Sequence, residues 1–271
     1  MAPFLDKDLT TVALCWRLER SDGVALGFTG HDRDLAIDGL TYRAAPGMLP
    51  SAISLSDGFD PATLDIKGAL TSDSITAADL RAGRWDGAAL FVFMTDWEAP
   101  GTETLPIARG ALGEVVVRGD AFEAELRGPA ALLEMPVVEQ TSPECRAELG
   151  DKRCRVDMAA RVRVTRIAAV IDAEVLEVED AAAGNSYGYG RLRWLGGANS
   201  GTENAILRSA GATLTLRAPP AFPPTVGDLV EIAEGCDRML ATCSERFGNV
   251  ANFRGEPHLP GIDLLTRYPG A

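Results

Sequence analysis

"TVALCWRL" (residues 11–18) is the stretch that decides the fold class. Val12, Leu14, Trp16 and Leu18 alternate with Thr11, Ala13, Cys15 and Arg17, the two-residue period of a half-buried β-strand. The same period continues outward. "GVALGFTG" carries it through Val24, Leu26 and Phe28. "LAIDGLTYRA" sets Asp38-Gly39 between two short alternating runs, a strong hairpin signal. Further strands are expected at Ala62–Ile66, Leu90–Met94, Gly113–Val117 and Ala121–Leu126. Arg118-Gly119-Asp120 joins the last two and reads as a hairpin turn rather than an adhesion motif. Helical pieces are few: "SITAADLRAGRW" has a Ser/Thr start, and "GPAALLEM" near 128–135 fits a short helix.

Pro136 and the polar "EQTSPE" mark a seam, dividing the chain into a β-rich domain over 1–138 and a second over 139–271. Beyond the seam, "RVRVTRIAAVIDAEVLEVED", "YGYGRLRWL", "ATLTLRA" and "LVEIAEG" read as strands, with "APPAFPPTVGD" a Pro-rich loop before the last. The end, "FRGEPHLPGIDLLTRYPGA", holds too much Pro and Gly for regular structure. Its Leu259, Ile262, Leu264 and Leu265 are therefore expected to pack on a surface or a partner.

Composition narrows the function classes. Hydrophobic residues are 46% and charged residues 24% of the 271, enough to build real cores. The formal net charge of −13 opposes a nucleic-acid-binding surface, which needs a basic patch to replace phosphate counterions. An acidic wall past which DNA slides stays compatible with that charge, although acidity for solubility is the simpler reading. No apolar run approaches the roughly 20 residues that cross a bilayer. "MAPFLDKDLTTVALCWRLER" shows no secretory pattern, so a reducing cytoplasm is expected, where structural disulfides are uncommon.

Four of the five cysteines stand in two pairs, in "CRAELGDKRC" (145–154) and "CDRMLATC" (236–243). On a continuous helix the C-x6-C pair would be about 10 Å apart at about 1.5 Å rise per residue. Disulfide Cα atoms lie within about 6.8 Å, so the intervening chain must fold back or the pairs must share something larger than one ion. Neither pair has the C-x2–4-C spacing of short zinc knuckles, and the familiar ferredoxin spacings are missing. With two histidines in the chain, a mixed Cys/His site has few donors. These considerations favour a metal site over two disulfides and do not choose the metal. Arg146, Lys152, Arg153, Arg155, Arg238 and Arg246 flank the pairs. They would lower thiol pKa values and offset cluster charge, or form ordinary surface ion pairs. Cys15, alone on its strand, reads as a small buried or half-buried residue.

"GFTGHDRDLAIDGLTYRAAPG" (27–47) and "GCDRMLATCSERFGNVANFRGEPHLPG" (235–261) resemble the tail hub proteins of gene transfer agents and siphophages. The second stretch is the more specific, with its C-x6-C, F-G-N, N-F-R-G and P-x-x-P-G pattern. The likeness runs over nearly the whole chain, weakest between about Val162 and Thr225, and extends distantly to the phage lambda tail-tip protein L. It implies a mainly β architecture, with a barrel or sandwich N-terminal domain and a smaller β-rich C-terminal domain. It implies a four-iron, four-sulfur cluster held by Cys145, Cys154, Cys236 and Cys243, with no counterpart for Cys15. A cubane several Å across tolerates a spacing that a single ion does not. The resemblance also implies a homotrimer joining the sixfold distal tail ring to a threefold central tip or fibre protein. DNA would pass through its lumen.

Other candidate chemistry is weaker. His31, Asp32 and Asp34 in "GHDRD" lack further converging donors apart from His258, and read as a polar turn capping backbone groups. "GGANSG" (196–201) lacks the helix and Lys of a phosphate loop. Trp16, Trp85, Trp97 and Trp194 are scattered like core or interface anchors. Two function classes remain: a non-enzymatic baseplate assembly protein stapled by its cluster, and an iron–sulfur redox protein or zinc-stapled enzyme.

Overall fold

The computed structural model describes residues 3–5, 10–44, 49–50, 63–69, 75–118, 121–128 and 138–259. The chain divides into two compact units, Met1–Val137 and Val138–Ala271. Strands dominate both.

The first unit carries β1 (Val12–Glu19), β2 (Ala25–Thr29), β3 (Leu35–Ile37), β4 (Leu40–Ala44), β5 (Leu49–Pro50) and β6 (Thr63–Ala69). A short helix α1 (Ala77–Arg81) follows, then β7 (Ala89–Asp96), β8 (Thr104–Arg118) and β9 (Ala121–Arg127). They form one nine-stranded sheet in the order β3-β4-β2-β1-β7-β8-β9-β6-β5. Asp38 and Gly39, at φ 50° and 78°, make the expected tight turn, and Ile37 pairs with Leu40 across it. Thr76 caps α1 by accepting from the Asp79 amide at 3.1 Å. Arg118 pairs with Ala121, but the Gly119-Asp120 turn lies outside the described residues, as does most of "GPAALLEM".

β1 differs from the half-buried strand expected. Trp16 and Leu18 do enter one core, with Phe28, Trp85 and Leu90. Ala13 and Cys15, on the other face, are equally buried, against Leu35, Ile37 and Tyr42. Both faces of this central strand are covered, so Cys15 is a core residue whose thiol donates weakly to Thr29 Oγ1 at 3.6 Å. β8 runs far beyond the expected 113–117. Pro106 lacks a ladder donor, and the β7–β8 register shifts next to it, between Val92 and Phe93.

The second unit holds β10 (Val162–Val170), β11 (Val175–Ala182), β12 (Arg191–Trp194), β13 (Glu203–Leu216) and β14 (Leu229–Ala233). They close into a barrel, β10-β11-β13-β12-β14, with β14 returning to β10 from Val162↔Ala233 to Arg166↔Leu229. Residues two apart point inward on each strand: Leu176 and Val178, Leu192 and Trp194, Leu214 and Leu216, Val230 and Ile232. The closed barrel thus belongs to the second unit, while the first is built on its nine-stranded sheet. The second unit, Val138–Ala271, is nearly as long as the first, Met1–Val137. Outside the barrel lie 138–161 before it and a helix α2 (Leu240–Glu245) after it. No described helix is long and apolar enough to cross a membrane.

Candidate functional site

The barrel's closure sets the site. Cys154 precedes β10 and Cys236 follows β14, so pairing these two strands draws the segments carrying the cysteine pairs to one end. Cys145, Cys154, Cys236 and Cys243 line a single recess with Ala147, Leu149, Val156, Phe247 and Phe253. None of the four is paired in a disulfide. Cys243 is buried within α2, and Cys236 stands ahead of that helix, so the C-x6-C segment is not one continuous helix. Arg238, between them, adopts a left-handed backbone conformation at φ 64°. Gly235 packs where a side chain would collide with the Gly190 amide, which lets the chain leave the barrel at this point.

Backbone hydrogen bonds fasten the four segments together. The Cys145 amide donates to Arg238 O at 2.9 Å, and the Arg146 amide to Arg254 O at 3.0 Å. Ser142 and Glu256 exchange bonds: Glu256 N donates to Ser142 O at 2.7 Å, and Ser142 N to Glu256 Oε2 at 3.0 Å. Gly255 permits this approach, because a Cβ there would sit 2.6 Å from Glu144 O. Arg146 grips Glu256 through its two terminal guanidinium nitrogens, at 2.5 and 2.8 Å. That pairing, with the Ser142 amide, holds the Glu256 carboxyl at about 2. Asp151 supports the first pair, accepting from the amides of Cys154 (2.6 Å), Arg153 (2.8 Å) and Glu148 (3.1 Å). Burial pushes its carboxyl up, but those donors outweigh it and leave it below the ordinary value.

Three N–H groups address the sulfurs. The Arg254 amide lies 3.3 Å from Cys145 Sγ, the Arg238 amide 3.4 Å from Cys236 Sγ, and Asn249 Nδ2 3.6 Å from Cys154 Sγ. Burial raises the Cys236 and Cys243 thiols above their ordinary value, and the neighbouring cysteines raise them further. Of the two readings of the flanking cations, the ordinary ion pair describes three of them. Arg146, Arg153 and Arg246 are committed to carboxylates, to Glu256, Glu139 and Glu234. Arg161 and Arg246 each donate to Glu234 Oε2 at 2.7 Å and each lie over the Phe247 ring, at 4.9 and 4.8 Å. This clamp ties the barrel ends to a wall of the recess.

The donor set suits a soft, thiophilic group: four thiols, an apolar lining and amides aimed at sulfur. Among the described residues, no three His, Cys, Asp or Glu side chains are grouped tightly enough for one metal ion. Spacing alone could find the cysteines. Asn249, Glu256 and Phe247 were missed as site residues, although "F-G-N" and "R-G-E-P" contain them. Their roles depend on partners roughly a hundred positions away, which no local pattern reports.

The remaining candidates are placed plainly. His31 Nδ1 accepts from the Arg33 amide at 3.1 Å, Asp34 Oδ1 accepts from the Ala44 amide at 2.8 Å, and the His31 ring rests 5.2 Å from Trp97. "GHDRD" is a capped turn. Trp16, Trp85 and Trp194 are core residues, while Trp97 is 37% exposed.

Two β units, the second a closed barrel with four cysteines lining one recess, make up a β-rich chain. Residues 1–157 match the family described as "Baseplate hub protein, N-terminal attachment domain", and the chain belongs to this baseplate hub family. Residues 185–263 match a second family, "Phage conserved hypothetical protein BR0599". No curated protein matches the chain. Among solved structures, a chain of "Virion of native gene transfer agent (GTA) particle" is similar, with 38% identity and a TM-score of 0.84. The likeness covers 98% of this chain and 94% of that one.

Proposed function

We propose that the protein is a non-enzymatic structural hub in the tail baseplate of a gene transfer agent or siphophage-like particle. In this reading three copies surround a channel, join the distal tail ring to the central tip or fibre protein, and let DNA pass without specific binding. The similarity to a gene transfer agent virion chain, extending over 98% of the sequence at 38% identity, carries the proposal. A sixfold ring meeting a threefold tip requires an adaptor, and a trimer offering two surfaces per subunit meets both symmetries.

Cys145, Cys154, Cys236 and Cys243 would hold a four-iron, four-sulfur cluster. When bound, that group supplies metal–sulfur bonds that cross-link two distant parts of the chain. Support comes from the shared recess and the three N–H groups directed at sulfur. Because the site exists only in the folded chain, its binding free energy contributes directly to folding.

The test is anaerobic purification of the full chain with iron, sulfide and zinc analysis and an absorption spectrum. Iron and sulfide in equal amounts are expected. Each single Cys→Ser change of the four should lose iron and lower the melting temperature, whereas Cys15→Ser should keep iron. Zinc alone, or Cys145–Cys154 and Cys236–Cys243 disulfides in anaerobic protein, would refute the cluster. Particles whose baseplates assemble normally without this chain would refute the hub role.

A further inference from the structure

Asn249 touches one member of each cysteine pair. Its Nδ2 donates to Cys154 O at 2.6 Å and lies 3.6 Å from Cys154 Sγ, while its backbone amide donates to Cys243 O at 2.9 Å. Its Oδ1 accepts from Asn252 Nδ2 at 2.8 Å. That acceptor role turns the NH2 end toward Cys154, so the amide orientation follows from its partners. Asn249 also opens the 3-10 turn Val250–Asn252, which holds Asn252 in place through Asn252 N to Asn249 O at 2.9 Å. The other two N–H groups facing sulfur are backbone amides, whose direction the chain path fixes. Asn249 is a side chain, so its contribution depends on residue identity.

We propose that Asn249 is a positioning residue of the four-thiol site: it locks the two cysteine pairs in one frame and tunes the bound group through the Cys154 sulfur. The proposal rests on the cluster reading above. An N–H directed at a metal-bound thiolate stabilises negative charge on sulfur and therefore favours the more reduced state of the group. Asn249→Asp keeps the shape, removes the donors and sets a carboxylate beside Cys154. Asn249→Gln retains the donor on a longer arm. Asn252→Ala leaves Asn249 intact and removes only what orients it.

The experiment uses the full chain loaded anaerobically, with iron and sulfide counted, the midpoint potential measured, and bleaching in air timed. Loaded Asn249→Asp is expected to show a lower midpoint than wild type and several-fold faster bleaching. Asn252→Ala should shift both in the same direction by less, and Asn249→Gln should return them toward wild type. An unchanged midpoint in loaded Asn249→Asp overturns the proposal. Should that variant fold but refuse iron, Asn252→Ala decides: a lowered midpoint sustains the proposal and an unshifted one overturns it. A wild-type chain that takes up no iron refutes the cluster reading and this proposal with it; loaded wild type beside an unshifted variant refutes this proposal alone.

Discussion

Glu256 accepts from the two terminal guanidinium nitrogens of Arg146 and from the Ser142 amide, joining the first cysteine segment to the chain's last described stretch. These donors favour its charged form and hold its carboxyl at about 2, against an ordinary 4.5. A depressed folded-state value gives a definite sign. The stabilisation is fully present above about 4.5 and is lost as pH falls through about 2. Unfolding measured against pH should therefore show wild type losing stability over that window. Glu256→Gln should be less stable at neutral pH and should lack this component of the acid dependence. Identical acid profiles for the two proteins would mean that Glu256 is not coupled to folding. The residue scale is also where sequence said least about the site. Cysteines announce themselves by rarity and pairing, whereas a Glu in a Pro- and Gly-rich tail looks like any solvated carboxylate.

Strands were legible wherever one face alone is buried. In β12 and β14 the alternation is plain, because the barrel interior takes Leu192, Trp194, Val230 and Ile232 and the outside takes their neighbours. β1 was half legible: Ala13 and Cys15 are small enough to read as neutral, so the second buried face left little signal. The first parts of β8 and β13 were missed because Pro106, Gly110 and the polar Arg208-Ser209 interrupt the pattern without ending the strand. Helix α2 spans little more than a turn and has no side-chain cap, so nothing local marks its start. Barrel packing makes a test at this scale. Leu192 is fully buried, and Leu192→Ala should cost about 2–5 kcal/mol in denaturant unfolding. Leu207, 43% exposed on β13, should change stability by only about 0.5 kcal/mol when made Ala. Equal costs would contradict the inward register of these strands.

At the scale of the molecule, each unit owns its cores. Trp16, Trp85 and Leu90 belong to the first, and Trp194, Leu214 and Ile232 to the second. Cores that share no residues can melt separately. Calorimetry of the full chain should then resolve two transitions, and on the cluster reading proposed above anaerobic removal of iron should lower only the one belonging to the second unit. A single transition that moves as a whole would show that the units unfold together.

The barrel lies between Cys154 and Cys236 in the chain, and β10 closes it against β14. On the ribosome, the first cysteine pair emerges well before the second. It must wait through five strands, its thiols unable to meet their partners. Only when β14 has been made and has found β10 do the four sulfurs come within one recess. The topology thus links two events: closing β10 against β14 and gathering the four thiols bring the same two parts of the chain together. A truncated or stalled nascent chain ending before Cys236 therefore presents only two of the four thiols, and the four-thiol recess cannot form until the chain has been made past Cys243.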